Sequence, residues 1–363
     1  MNELESARNT ISELDSQIAK LFEKRMEASA IVAEYKRTHG LNILDTSREN
    51  EVISKNIKNI NDPVIKEYYV DFLKKTMELS RNYQARLNEG MRVAYCGVEG
   101  AYAHIASKNM FPQAKFIAYK SFEEAYKATE NGECDVSVLP IENSYAGDVE
   151  TVMDLIFRGS LYANQIFDLE IDHCLIANKG ASLSSIKRVA SHPQALAQCE
   201  EFIHLHSLEA QSFSNTALAS KMVKDSGSLE LGAIASEETA KILDLEVLQR
   251  RINTSRTNTT RFVALSRALN KLDSSKRKMN EHFILVFTVK NEAGALAKTI
   301  DIIGSHGFNM RSLRSRPMKE LLWNYYFFVE ADGNLQTKEG ETMLSELDKS
   351  CDRLKVVGSY LTK

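Results

Sequence analysis

The sequence predicts a multidomain protein: an all-α N-terminal part, an α/β domain, and a small βαββαβ module at the end. Three observations carry this. Apolar residues within 1–90 recur at helical spacing. From residue 91 onward, short apolar runs alternate with helical stretches. Beyond a polar stretch at 271–281, KLDSSKRKMNE, the pattern reads strand, helix, strand, strand, helix, strand. A chain of 363 residues has room for roughly two to four domains.

The helical part comes first. Leu4, Ile11, Leu14, Ile18 and Leu21 recur at spacings of three, four and seven, the mark of a helix with an apolar stripe. It runs to about Thr38, where His39-Gly40 is the stop. At about 1.5 Å per residue such a helix exceeds roughly 45 Å. That is too long for a small domain to cover, so it implies a partner chain. A second helix starts after Asp45-Thr46, both good N-cap types. A third follows Asp62-Pro63 and runs to about Asn88, and Glu89-Gly90 ends this part.

The α/β domain is expected over 91–270, with strands at 92–96, 116–118, 136–140, 172–177, 188–190, 232–235 and 262–266. Alternation with helices suggests largely parallel sheets. Residues 271–281 read as a linker. The module over 282–363 then runs strand 283–290, helix 295–305, strand 308–316, strand 323–331, helix 338–350 and strand 353–360, the ferredoxin-like order.

Composition excludes several function classes. Net charge is −3, so no global basic field draws nucleic acid or an anionic membrane. An anionic ligand must be held by a few placed cations. Cys96, Cys134, Cys174, Cys199 and Cys351 are odd in number and form no CxxC, which argues against a disulfide framework and a structural zinc site. The start, MNELESARNTISELD, is unlike a signal peptide, and no apolar run approaches about 20 residues. The cytoplasm is the expected compartment.

In the helical part, Arg25 and Lys36 are eleven residues apart, almost three turns, and share a face. Arg8 lies seventeen residues before Arg25 and points about 100° away. It would therefore serve a different site, the partner's in an entwined dimer. Ser80 and Gln84 form an i,i+4 pair. The plainer reading of such charges is a dimerisation arm with solvated side chains. Against it, ARNTISELD, FEKRMEASAIVAEYK, DTSRENEV and ELSRNYQ closely resemble the helical chorismate mutases over residues 4–87.

That resemblance implies ligand-binding residues at Arg8, Arg25, Lys36, Asp45, Arg48, Glu49, Ser80 and Gln84. The implied reaction is an intramolecular rearrangement of a dicarboxylate, chorismate, to prephenate. It needs a held geometry and a stabilised ether oxygen, not a nucleophile, metal or cofactor. Arg8 and Arg25 would clamp the carboxylates. Lys36 and Gln84 would donate to the ether oxygen, and Glu49 would accept from the substrate hydroxyl.

In the α/β part, GVEGAYAHIAS (97–107) resembles a glycine turn that offers N–H groups to an anion, although Gly97 and Gly100 would equally serve only the turn. GxGxxG is absent, so this is no dinucleotide fingerprint. The stretches GECDVSVLPIENSYAGDVETVMDLI (132–156), SHPQALAQC (191–199), SFSNTALAS (212–220), GAIASEETAKILDL (232–245) and NTTRFVALSR (258–267) resemble the prephenate dehydratases in order and spacing. The fold this implies is two α/β lobes around a cleft, like type II periplasmic binding proteins.

The implied reaction removes the ring carboxylate of prephenate as CO₂ and its hydroxyl as water, giving phenylpyruvate. The enzyme must supply a proton to the leaving hydroxyl and hold the carboxylates. Thr260 matches the family's key catalytic group. Ser144, Ser191, Ser214 and Thr216 bring further hydroxyls, and Asn143, Gln194 and Gln198 are candidate hydrogen-bonders. Asn215 and Phe262 are further candidate substrate-binding residues. Arg261 would orient a carboxylate or serve as a structural ion-pair partner. Glu142 would brace the loop, and His192 would pack it or face the ligand. A Ser–His hydrolase is excluded: there is no GxSxG elbow and no acid partner for His192.

The C-terminal module, with Gly294-Ala295-Leu296 and Ser315-Arg316-Pro317, resembles an ACT domain. In the family that domain binds phenylalanine between paired subunits, with Asn309 and Trp323 here as candidate pocket residues. The second motif usually reads Glu-Ser-Arg-Pro, whereas this chain has Arg314 in the first place. The departure bears on phenylalanine inhibition, which Arg314→Glu is expected to strengthen. A dimerisation module without a ligand is the alternative. Taken together, the resemblances imply a bifunctional chorismate mutase/prephenate dehydratase of phenylalanine biosynthesis. They also imply a homodimer or higher oligomer, no cofactor and no metal. The rivals are a non-catalytic amino-acid sensor and a dehydratase that prefers arogenate.

Overall fold

The computed structural model describes residues 2–255, 257–270, 280–318 and 324–362. The chain divides into two compact units, residues 1–92 and 93–363. The expectation for Trp323 and most of the expected linker, 271–279, lie outside the described residues.

The first unit is helical: α1 (Glu3–Thr38), α2 (Thr46–Asn56) and α3 (Pro63–Glu89). Each start is chemically specified. Asn2 and Glu5 form a capping box on α1. The Asp45 carboxylate accepts from Arg48 N on α2. On α3 Asp62 accepts from Val64 N and Ile65 N, and Pro63 sits where no N–H is needed. With 36 residues, α1 is about 54 Å long. Only Ser29 and Ala33 of it are buried. Its predicted stripe, Leu4, Ile11, Leu14, Ile18 and Leu21, is about half exposed or more.

In the second unit the first sheet holds β1 (Arg92–Cys96), β2 (Lys115–Tyr119), β3 (Val136–Asn143), β4 (Gly147–Asp148) and β5 (Tyr162–Glu170). The second holds β6 (Cys174–Ala177), β7 (Arg188–Ser191), β8 (Glu209–Ser212), β9 (Leu231–Ala235) and β10 (Glu246–Gln249). The chain returns to the first sheet with β11 (Thr259–Ser266), then adds β12 (Asn280–Thr288), β13 (Met310–Pro317), β14 (Tyr325–Asp332) and β15 (Arg353–Thr362). The strand orders are β13-β14-β12-β15-β5-β11-β3-β1-β2, with β4 beside β3, and β10-β6-β9-β7-β8.

Two sheets separated in this way are two lobes. All four residues of β6 and all five of β9 are buried, because apolar clusters cover both faces of the second sheet. Strand directions are mixed, which corrects the expectation of largely parallel sheets. β1 and β3 are parallel, but β11 runs antiparallel to both β3 and β5. The chain leaves the first lobe at the end of β5 and re-enters it at the start of β11, where Thr259 pairs with Glu170. Neighbouring strands joined at one end of a lobe must run in opposite directions.

The C-terminal stretch has the predicted βαββαβ order, with helices Ala295–Ser305 and Lys338–Ser350. Alternation along β12 divides it between two cores. Phe283, Leu285 and Phe287 pack with Ile303, Met343 and Leu347, while Ile284 and Val286 join the core of the first lobe. β15 meets β5 at Gly358, paired with Ala163, so closely that a Cβ would collide with the Ala163 backbone. Asn280 and Glu281, expected in the linker, begin β12.

Candidate active sites

In the helical unit, Arg25, Lys36, Asp45, Arg48, Glu49, Ser80 and Gln84 line one cavity of about 260 Å³. α1 supplies the first two from one face, the α1–α2 turn and the first turn of α2 the next three, and α3 the last pair. The Arg25 guanidinium donates to Ser80 Oγ and to Thr76 O (3.4 Å). Its burial lowers its pKa, yet a guanidinium remains charged. Lys36 Nζ donates to Ile43 O at 2.6 Å. Glu49 is engaged by Arg81, a lining cation that the sequence reading missed.

Gln84 is 8 % exposed; its Nε2 donates to Ser29 Oγ (2.9 Å), and its Oε1 is buried with no partner. Turning the amide over lets the Ser29 hydroxyl donate to Oε1 and frees Nε2 as a donor to a bound ligand. Arg8 does not line the cavity. It is exposed on α1, about 25 Å along the helix from Arg25.

A second cavity, of about 190 Å³, lies in the second unit between the two lobes. β3 and β11 bring Asn143 and Thr260 together as a register pair, and Asn143 Nδ2 donates to Thr260 Oγ1 at 2.9 Å. Gln194 and Gln198 come from the segment after β7, and Asn215 and Thr216 from the start of the helix Thr216–Ser226. The Asn215 side-chain oxygen, Oδ1, caps that helix by accepting from Leu218 N (2.7 Å). Among the described residues, no Lys or Arg lines this cavity.

Two family models match the chain: chorismate mutase type II over residues 7–85 and prephenate dehydratase over 93–270. A bifunctional chorismate mutase/prephenate dehydratase of Enterobacter agglomerans is 29 % identical, over 99 % of this chain and 96 % of that protein. The arogenate dehydratase 2 of Petunia hybrida is 32 % identical over 74 % and 71 %. The chain belongs to the bifunctional chorismate mutase/prephenate dehydratases. A solved structure of an Arthrobacter aurescens prephenate dehydratase, described as a complex with L-Phe, matches with a TM-score of 0.68. It is 26 % identical and covers 75 % of this chain and 90 % of that one.

The dehydratase cleft gathers some of the predicted residues and not others. Asn143, Gln194, Gln198, Asn215, Thr216 and Thr260 line it, as does His192, whose Nδ1 accepts from Gln194 N. Ser144 bonds Thr257 O and Thr259 N instead, closing the β3–β11 end. Ser191 is fully buried and donates to Ile234 O (2.6 Å). Ser214 is exposed and does not line the cleft. Phe262 is a core residue at 2 % exposure.

Strand alternation turns Arg261 away from Thr260, and its guanidinium pairs with Glu330 (2.8 Å) and Asp168 (3.2 Å). Of its two sequence readings, this placement matches the ion pair. Tyr102 and His173 line the cleft and were missed. The pattern GAYAH points to its glycine alone. His173 lies just before β6, where the chain crosses to the second lobe, and local pattern gives such a residue no signal.

The C-terminal motif residues are held as follows. Gly294 takes φ +85° at the start of its helix, with Ala295 and Leu296 in the first turn. Asn309 Nδ2 donates to Asp332 (3.0 Å). On β13, Ser315 and Pro317 face outward, while Arg314 and Arg316 turn toward the dehydratase lobe. Arg316 pairs with Glu150 (3.0 Å), and Arg314 pairs with Glu142 (2.6 Å) and Asp148 (3.2 Å). Glu142 is the residue beside Asn143, so its brace is an ion pair from the C-terminal module.

Proposed function

We propose that the helical unit rearranges chorismate to prephenate and that the dehydratase cleft converts prephenate to phenylpyruvate, CO₂ and water, which makes the chain an enzyme of phenylalanine biosynthesis. The convergence of seven motif residues on one helical cavity, and of Thr260 with Asn143 in the cleft, supports this reading most strongly.

In the first step Arg25 and a partner's Arg8 hold the two carboxylates. Asp45, Arg48 and Ser80 shape the wall around the ligand. Lys36 and the turned Gln84 donate to the ether oxygen, on which negative charge grows as its C–O bond breaks. A neutral amide makes this donation across a wide pH range. The exposed apolar stripe of α1, with Arg8 far from its own cavity, supports a homodimer whose sites are shared.

In the second step the bonding electrons of the departing carboxylate enter the ring as the hydroxyl leaves, so one proton must reach that hydroxyl. Thr260 donates a hydrogen bond to it. As a poor acid, Thr260 polarises the bond while a proton from bulk solvent, relayed through water, reaches the leaving oxygen. A cleft without a described cation fits this chemistry, because a cation on the scissile carboxylate would stabilise the charge that must disperse. The side-chain amides of Gln194, Gln198 and Asn215 and the N–H groups at Thr216 hold the carboxylates instead.

The C-terminal order β13-β14-β12-β15 supports a ferredoxin-like ACT module. We assign it phenylalanine binding with a second subunit through Gly294, Ala295, Leu296, Asn309, Ser315 and Pro317, with Arg316 held in its ion pair with Glu150. The L-Phe complex of the Arthrobacter enzyme supports this. Titrating phenylalanine by calorimetry tests it: heat that saturates supports an effector site, and none leaves a dimerisation module. For the dehydratase step, Thr260→Val should remove phenylpyruvate formation and spare the mutase; retained dehydratase activity refutes the role given to Thr260.

A further inference from the structure

We propose that Asn258, buried behind the cleft and outside its lining, is a positioning residue that sets the Thr260 hydroxyl as a hydrogen-bond donor. The inference rests on the role given to Thr260 above.

A chain of side chains runs behind the cleft, and backbone groups fix its direction. Asn143 Oδ1 accepts from Tyr145 N (3.0 Å) and Ala146 N (2.9 Å), and a backbone N–H can only donate. Its Nδ2 must then be the end facing Thr259 O (3.3 Å), Asn258 Oδ1 (3.0 Å) and Thr260 Oγ1 (2.9 Å). Thr259 O, a pure acceptor, agrees with that choice. Asn258 therefore accepts through Oδ1 and donates through Nδ2 to Gln198 Oε1 at 3.0 Å. His173 Nε2, 2.9 Å from the same oxygen, must also donate to it. That tautomer leaves His173 Nδ1 as an acceptor, with the Tyr102 hydroxyl 2.9 Å away. Burial lowers the His173 pKa and keeps the ring neutral, as this arrangement requires.

Two consequences reach the cleft. Thr260 Oγ1 receives a hydrogen bond from Asn143, so its own hydrogen is the one left for the leaving hydroxyl. Gln198 has its oxygen occupied twice, so its Nε2 is the end it offers to a carboxylate. Asn258 is 3 % exposed and is the joint between these two results. Without it, Asn143 loses an acceptor and Gln198 a donor. Tyr145 N, Ala146 N and Thr259 O still fix which end of Asn143 faces Thr260, as His173 Nε2 does for Gln198, but each amide loses a partner that holds it in place, and the Thr260 hydrogen is aimed less tightly.

The test uses the full-length protein, with its mutase activity as the internal control for folding. Asn258→Ala is expected to lower the dehydratase kcat by about tenfold to a hundredfold, the scale of a misplaced reacting group, with KM changed less than about threefold. Asn258→Asp keeps an acceptor for Asn143 and is expected to regain part of that loss. It also serves as the readout if the alanine variant does not fold.

The deciding measurement is a double-mutant cycle with Thr260→Ser. Serine keeps the hydroxyl but lacks the methyl that restricts χ1, so it depends more on the Asn143 bond. The Asn258→Ala loss should therefore be larger in that background. Equal losses in both backgrounds, or a wild-type kcat for Asn258→Ala, overturn the positioning role. Full dehydratase activity in Thr260→Val would instead remove the role given to Thr260, and this inference with it.

Discussion

Arg8→Ala separates a shared mutase site from a self-contained one. Arg8 sits about 25 Å along α1 from Arg25 and outside the cavity its own chain forms, and the proposed shared site places its effect in a partner's cavity. A guanidinium on a carboxylate makes two charge-assisted hydrogen bonds at roughly 1.5–3 kcal/mol each. Their loss, about 3–6 kcal/mol, lowers mutase kcat/KM by about a hundredfold to twenty-thousandfold at about 1.4 kcal/mol per decade. Gln84→Ala disables the cavity from the other side. Unfolding and refolding an equal mixture of the two variants makes half of the dimers mixed. In each mixed dimer one site has both wild-type residues, so mutase activity should return to about a quarter of wild type. Chorismate disappearance before and after mixing is the assay. No recovery, or a wild-type rate for Arg8→Ala alone, refutes the shared site.

Arg314→Glu places a third carboxylate beside Glu142 and Asp148. It should cost about 2–4 kcal/mol of stability in the second unit and lower dehydratase activity, while the mutase is spared; an unchanged melting transition for that unit would contradict the ion pair. The stronger phenylalanine response expected from sequence therefore has to be read on a weakened protein. Arg261→Met removes the partner of buried Glu330, which also accepts from Tyr360, and should destabilise the second unit by about 3–5 kcal/mol in urea, whereas a loss of activity without a loss of stability would place Arg261 in the chemistry instead. His173 has a lowered pKa from burial, opposed by Gln198 and Asp172. The unfolded state therefore binds the proton first, and stability is lost as pH falls below the ordinary histidine value of about 6.5. His173→Gln should flatten that acid limb relative to wild type, and an identical limb would show that His173 does not contribute.

Much of this was legible because local chemistry specified it. Asp45, Asp62 and Pro63 marked helix starts that the structure keeps, and the mutase residues lie on regular helices whose periodicity states which side chains share a face. The misses have a common physical cause. β5 stands between β15 and β11, yet YANQIFDLE mixes polar and apolar residues, so its strand signal is weak although one position, Ala163, is fully buried. Tyr102, His173 and Asn258 matter through partners 25–115 residues away, a relation that no spacing rule records. Ser191 and Ser144 sit in motifs beside residues that line the cleft, but their hydroxyls are spent on backbone carbonyls, which only the three-dimensional arrangement reveals.

The most direct test of the whole account is to give the purified protein chorismate alone, without metal or nucleotide, and to follow prephenate and phenylpyruvate together. The account predicts transient prephenate followed by phenylpyruvate. Prephenate that accumulates unchanged would contradict the dehydratase assignment, and a chain that turns over neither chorismate nor added prephenate would contradict both.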